Sequence, residues 1–285
     1  MKIVCNTKEL LGAVSLVGRA VPTRTTMPIY QSVKFVVSDD SVVLMGTDLE
    51  CGIRYKLNGN TQIDSPGSTV IDPVKLSAIL KEVPDDTVDI ETTKTKVCVT
   101  AGLSEFEMPT ENADDFNDVP EFDGTMPHCE LFVSALRKMI HRTLFAAASD
   151  EGKYAMQGIL VDRGDGVLKL VATDGKRLAV ATGPTLGKDE ANPSAIVPSK
   201  SMALVDQVSA NDPADAQVKL AWNRSAVWFQ TSKATITSRL VEGRFPSWRD
   251  VIPKKFGVTL NIDTKSFASA VRQAAIMADD ESKRV

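Results

Sequence analysis

A chain of 285 residues, 43% hydrophobic and 25% charged, holds material for about two domains of ordinary size. Its formal net charge of -4 excludes a protein that is basic all over, so contact with a polyanion requires Lys and Arg gathered on one face. Cys5, Cys51, Cys98 and Cys129 form no CxxC pair and no Cys/His cluster, which excludes a disulfide framework and a structural zinc site and predicts buried free thiols. The N-terminus lacks a signal-peptide core and no apolar run reaches the roughly 20 residues that span a bilayer, so a cytoplasmic protein is expected.

In chain order, an amphipathic helix near residues 8 to 18 is followed by an apolar strand, the turn "SDDS" (38–41) and a second strand, "VVLMGT", that ends in Thr47-Asp48. A third strand follows, and "VIDPVKLSAIL" from Val70 predicts a strand end and a short helix with Asp72 near its start. Strands carrying Val88 and Val97 complete the string. The string then begins again. A shift of 126 superposes Gln31 on Gln157, Asp39 on Asp165, Thr47 on Thr173 and Asp48 on Asp174, with apolar residues paired at 33/159, 35/161, 42/168, 44/170 and 45/171. The second copy contains the turn "RGDG" (163–166), the stretch "VLKLVATDGKR" (167–177) and "IVPSKSMALV" from Ile196, with Pro198 near the helix start. Past that point the offset becomes 130, so Val88 and Val97 fall on Val218 and Val227. A third copy starts at "LNIDTKSFASAVRQAAIMADDESK" from Leu260, where "DDESK" (279–283) lies 130 residues after "SDEGK" (149–153). The expected domains are therefore 1–121, 122–253 and an incomplete third, 254–285. Some 30 residues of a unit about 125 long cannot bury their own apolar face.

The helix that opens the second copy, predicted over Leu131 to Ser149, holds no acidic residue. At about 100° per residue Leu136, Met139, Ile140, Thr143 and Ala147 share one face, and Arg137, Lys138, His141 and Arg142 gather opposite. Such a face either meets solvent or meets a polyanion; solvent faces ordinarily mix signs for i, i+4 pairing. Phe106 and Met108 carry a similar pair of readings, as inward core residues or as the rim of an edge strand that a partner covers.

"GTDLE" (46–50), "ATDGKRLAV" (172–180), "IVPSK" (196–200) and "SRLVEGRFPSWRDVIP" (238–253), set in a threefold repeat, resemble the bacterial sliding clamp, the beta subunit of DNA polymerase III, across essentially the whole chain. The resemblance implies an α+β DNA clamp fold, repeated domains with helices on one side of antiparallel sheets, closed by two subunits into a ring whose twelve helices line a positive hole around duplex DNA. It implies a non-catalytic processivity factor with no cofactor and no metal, whose partners are sequence-independent duplex DNA, the polymerase catalytic subunit, the clamp loader and other clamp-motif proteins. DNA contact falls to Arg24 in "PTRTTMP" and to Lys153 and Tyr154; charge patterning adds Arg137, Lys138 and Arg142. A pocket for partner peptides is implied at Met156, Thr173, Gly175, Lys176, Arg177, Leu178, Pro246 and Val251, with Gly175 allowing close backbone approach. The chain departs from the family pattern at Met156, Lys176 and Asp250, which alters the charge that a peptide meets. The subunit interface implied is Phe106 and Met108 against Ile276 and Met277.

Two other classes are carried beside this one. An enzyme would need Asp48 and Asp174 as catalytic or metal-binding carboxylates, whereas Asp in such turns ordinarily accepts backbone N–H groups. Only His128 and His141 are histidines, and neither GxSxG nor HExxH occurs. A repeat-built interaction scaffold without DNA would need no basic helix face.

Overall fold

In a computed structural model, residues 1–57, 59, 61–149, 154–164, 166–186 and 194–278 are described. The chain forms two compact units, Met1–Pro246 and Ser247–Val285.

The first unit writes one string of elements twice. The first copy runs β1 (Lys2–Asn6), α1 (Thr7–Val17), β2 (Val33–Val37), β3 (Val42–Thr47), β4 (Cys51–Leu57), β5 (Gln62–Ser65), β6 (Gly67–Ile71), α2 (Pro73–Glu82), β7 (Thr87–Thr92), β8 (Lys96–Ala101) and β9 (Ser104–Pro109). The second runs β10 (Cys129–Phe132), α3 (Val133–Thr143), β11 (Gly158–Gly164), β12 (Val167–Thr173), β13 (Leu178–Pro184), β14 (Ala195–Pro198), α4 (Ser199–Val208), β15 (Gln217–Trp222), β16 (Ala226–Gln230) and β17 (Ala234–Arg239). At the predicted offset of 126, α1 falls on α3 and α2 on α4 residue for residue, and at 130 β7 falls on β15 and β9 on β17.

Local chemistry sets these boundaries. Asn6 caps α1 by accepting from Lys8 N and Glu9 N, and Asp72 caps α2 by accepting from Val74 N and Lys75 N, with Pro73 in the first turn where no N–H is required. The helix predicted from Leu131 is shorter than expected. Residues 129–132 pair with β15 instead, Leu131 opposite Val218, and the helix ends at Thr143 with a 3-10 turn to Ala146, so Ala147 is off the helix face. Val133, Leu136, Met139, Ile140 and Thr143 are buried as the period requires.

All sheet pairing is antiparallel among the described residues, in three sheets: β5-β1-β7-β8-β9, β13-β12-β11-β14, and an eight-stranded sheet β10-β15-β16-β17-β4-β3-β2-β6. The eight-stranded sheet joins the two copies: β17 of the second pairs with β4 of the first, Ile236 opposite Ile53 and Ser238 opposite Cys51. Among the described residues β9, which corresponds to β17, pairs with β8 alone, and β13, which corresponds to β4, pairs with β12 alone. The unit therefore ends in two open strand edges that match the two sides of its own internal junction.

One apolar core runs through both copies, from Ile3, Leu10 and Phe35 to Leu170, Phe229 and Ile236. A smaller cluster of Ile29, Tyr30, Met45, Phe116 and Val119 lies beneath the connector between copies. The connector is strapped to the sheets by the buried Lys34, the half-buried Arg54 and the Thr237 hydroxyl. Lys34 Nζ donates to Phe116 O at 3.2 Å and to Asp118 Oδ1 at 2.7 Å, Arg54 donates to Val119 O at 3.1 Å and to Glu121, and Thr237 Oγ1 donates to Pro120 O at 3.2 Å.

The second unit contains α5 (Thr264–Ala275), capped by Asp263 accepting from Ser266 N at 2.9 Å. None of its helical residues is buried.

Candidate functional site

The two Thr-Asp turns share one hydrogen-bond scheme. Thr47 Oγ1 donates to Cys51 O at 2.9 Å and accepts from Leu49 N, while Asp48 Oδ1 accepts from Glu50 N at 3.0 Å and Cys51 N at 2.7 Å. Thr173 Oγ1 donates to Arg177 O at 2.7 Å and accepts from Gly175 N, while Asp174 Oδ1 accepts from Lys176 N and Arg177 N, each at 2.9 Å. Both carboxylates are spent on the backbone, so neither turn presents a catalytic pair. No group of three His, Cys, Asp or Glu suited to a metal occurs among the described residues.

The third residue of each turn is left-handed, φ 87° at Gly175 and φ 73° at Leu49. Turn geometry therefore accounts for Gly175 before any ligand is considered, and Leu49 holds the same conformation against a side-chain clash that costs roughly 1 kcal/mol.

The turns differ in what takes the second carboxylate oxygen. Asp174 Oδ2 accepts from Arg177 Nε of its own turn at 3.0 Å, whereas Asp48 Oδ2 is bound by Lys200 of the other copy. Hydrogen bonds from Arg177 N and Lys176 N, with the nearby Arg177 charge, lower the Asp174 carboxyl from 3.8 to about 2. A depressed carboxyl contributes stability above its unfolded value and loses it as pH falls toward its folded value. The stability difference between the native chain and Asp174→Asn is thus expected to be constant above pH 4 and to shrink between about pH 4 and 2, as read by urea unfolding. A difference that stays level through that range would refute the assignment.

Around the second turn, Thr173 is buried, Leu178 half-buried, Lys176 exposed, and Arg177 stacks 5.6 Å from the exposed Phe145 ring. Met156, half-buried, closes a 3-10 turn begun by Tyr154, and its carbonyl accepts from Ala148 N at 2.8 Å. Pro246 is the exposed last residue of the first unit; Val251 is exposed in the second.

Of the expected DNA contacts, Arg24 is exposed in the loop before β2, and Lys153 lies outside the described residues. Lys138 and Arg142 are exposed on α3 without an ion pair among the described residues. Arg137 departs from expectation: its Nε binds Asp206 Oδ1 of α4 at 2.9 Å, and His141 Nε2 sits 2.9 Å from Asp206 Oδ2. The acid missing from the helix is supplied by its neighbour, so Arg137 ties α3 to α4 and the free positive charge narrows to Lys138 and Arg142.

Met108 takes the first of its two readings, an inward core residue. It is 5% exposed and belongs to the core, while Phe106 is partly buried against the core on the same face of β9. What β9 offers outward is its backbone edge. Ile276 and Met277 are exposed in the second unit. Cys5, Cys51 and Cys129 are buried, with burial pushing Cys5 up to about 12 and Cys51 up to about 11, but Cys98 is only half-buried. No helix among the described residues is long and apolar enough to cross a membrane.

Comparison with known proteins places this geometry. Residues 1–120 match the model of the DNA polymerase III beta subunit N-terminal domain, and residues 130–247 match that of its central domain. The Beta sliding clamp of Pseudomonas putida is 31% identical over the whole of this chain and 77% of its own length, and that of Caulobacter vibrioides is 30% identical over the same shares. The crystal structure of the DNA polymerase sliding clamp from Bacillus subtilis superposes with a TM-score of 0.92 at 26% identity, over 98% of this chain and 75% of that one. A Pseudomonas aeruginosa sliding clamp bound to griselimycin gives 0.90 at 30% identity, over 99% and 76%. With two copies of the same unit joined edge to edge and relatives of this similarity along its full length, the chain belongs to the beta sliding clamp family, the beta subunits of DNA polymerase III.

Proposed function

We propose that this chain acts as a processivity factor that encircles duplex DNA and tethers the replicative polymerase, without catalysis of its own, in the bacterial cytoplasm. The observation that carries the ring is the junction between β17 and β4, together with the open edges of β9 and β13. A head-to-tail interface that repeats either closes into a ring or runs on as a filament. In the proposed assembly 1–121 and 122–253 are two clamp units and 254–285 begins a third; two subunits close through β9, with Phe106 and Met108 behind the edge and Ile276 and Met277 on the other side.

Contact with the duplex is assigned to Arg24, Lys138, Arg142, Lys153 and Tyr154, with Arg137 a lesser contributor because Asp206 holds it. Lys and Arg contacts to phosphate carry no sequence information, which suits a protein that must not stop at any site. Topological linkage then retains the clamp where affinity does not. The test is retention after loading: the chain is expected to stay on circular duplex and to leave once the circle is linearised. Lys138→Glu with Arg142→Glu should lower loading by about tenfold or more at low salt, and less at high salt. Equal retention on circular and linear DNA would defeat encirclement, and unchanged loading by the double variant would show that these two side chains only meet solvent.

The partner pocket is proposed at Met156, Thr173, Gly175, Lys176, Arg177, Leu178 and Pro246 of the first unit, taking apolar side chains of short segments from the polymerase, the clamp loader and other clamp-binding proteins; Val251, the remaining expected residue, belongs to the second unit. Leu178→Asp is expected to weaken binding of a peptide from the polymerase catalytic subunit by about a hundredfold, because a carboxylate would be buried unpaired against an apolar side chain. Fluorescence anisotropy reads this directly, and an affinity equal to that of the native chain would remove Leu178 from the site.

A further inference from the structure

The first Thr-Asp turn borders a cleft of about 930 Å³ within the first unit, between the turn, the connector at 117–120, the start of β14, the hairpin turn at 223–226 and the segment after β17. That volume is in the range of pockets that bury a ligand. Its walls combine apolar side chains, Leu49, Val119, Ile196 and Val241 among them, with main chain held extended by bonds from Leu240 N to Ser225 O at 2.9 Å and from Val241 N to Ile196 O at 2.8 Å.

We infer that this cleft binds an uncharged, apolar peptide segment in extended form, a second partner site at the junction of the two copies. Three observations favour that occupant. The charges on the cleft are largely spent: Asp118 is paired with Lys34 at 2.7 Å and Glu50 with Arg239 at 3.4 Å, which leaves the exposed Arg224 and Glu242, of opposite sign. A charged ligand gains little there. Trp228, 9% exposed and packed with Phe122, lines the cleft, and its indole N–H has no acceptor among the described residues. A buried donor without an acceptor is costly, and a peptide carbonyl supplies the missing group. Leu49, finally, keeps a large apolar side chain 43% exposed on a left-handed backbone, at the position where the second turn has Gly175. Strain retained at an exposed apolar residue beside a cleft is the pattern expected where the side chain has a ligand to meet.

The inference rests on the clamp reading only for the kind of ligand, a partner peptide, and its test separates the two sites. The probe is an acetylated and amidated hexapeptide of alternating serine and leucine, added to the full chain with ¹⁵N-labelled indoles. Three indole N–H signals are expected from three tryptophans, with that of Trp228 identified by its loss in Trp228→Phe. Saturable downfield movement of the Trp228 signal is expected, weakened by about tenfold or more in Leu49→Asp and unchanged in Leu178→Asp. Asp tolerates the left-handed conformation at position 49, so that variant keeps the turn. No saturable movement up to roughly 5 mM peptide would overturn the site. Movement that Leu178→Asp abolishes and Leu49→Asp spares would put the peptide at the second turn, which sustains the proposed partner pocket and overturns this one. Movement of the Trp228 signal on concentrating the chain without peptide would assign the cleft to a second copy and overturn the inference as well.

Discussion

Lys34→Ala is expected to lower the stability of the first unit by about 3 kcal/mol and to expose the connector to proteolysis. The Lys34 ammonium has two jobs at once. It satisfies the Phe116 carbonyl and the Asp118 carboxylate, at 3.2 and 2.7 Å, and it sits 5.9 Å from the Phe116 ring centre. Its side chain is 9% exposed, so removal leaves a carbonyl without a donor and a void where the methylene stem had packed. Loss of one partner from a fully buried pair costs about 3–5 kcal/mol, and the estimate lies at the lower end because Asp118 is 62% exposed and regains water. Lys34→Met separates the parts: it keeps the stem and loses the donor, and is expected to cost about half as much. Thermal unfolding with limited proteolysis across residues 110–128 checks both. Equal losses for Ala and Met would assign the whole effect to the head group, and native stability in both would show that the strap does not hold the connector.

Much of this architecture was legible because the chain writes it twice. The offset of 126 aligns α1 with α3 and α2 with α4, and its slide to 130 aligns β7 with β15. Periodicity misplaced the start of α3 because Cys129 and Leu131 are apolar at a spacing that serves a strand as readily as a helix, and only pairing with β15 decides between them. Arg137 illustrates a second limit. Its partner Asp206 is 69 residues away on another helix, and no local pattern announces it. Met108 illustrates a third: it shares a strand face with Ser104 and Phe106, yet burial deepens along β9 from exposed to 5%, a gradient set by the core behind the strand rather than by alternation. The first turn's likeness to the second was plain in the sequence; the cleft beside it was not, because its walls come from five separated segments.

The two turns also predict unequal consequences for the same substitution. Asp48→Ala removes the acceptor of Glu50 N and Cys51 N and frees Lys200 from the other copy, and with the Asp48 side chain only 15% exposed an expected cost of about 2–3 kcal/mol follows. For a unit of this size that is a fall of roughly 4–12 °C in melting temperature. Lys200 is 61% exposed, so Lys200→Ala should cost about 1 kcal/mol or less, since the ammonium returns to water. The double variant then measures the link between copies, with an expected coupling of about 0.5–1 kcal/mol. Asp48→Asn, which keeps an acceptor for the backbone but loses the charge, should resemble Lys200→Ala rather than Asp48→Ala. If the two single losses simply add, Lys200 contributes nothing through Asp48, and the copies are held by the β17–β4 pairing and their shared core without it. Asp174→Ala is the comparison, because its second oxygen is held by Arg177 inside the same turn. A turn that is structural in both copies thus becomes a fastener in only one, and the carboxylate that fastens borders the cleft whose apolar wall includes Leu49.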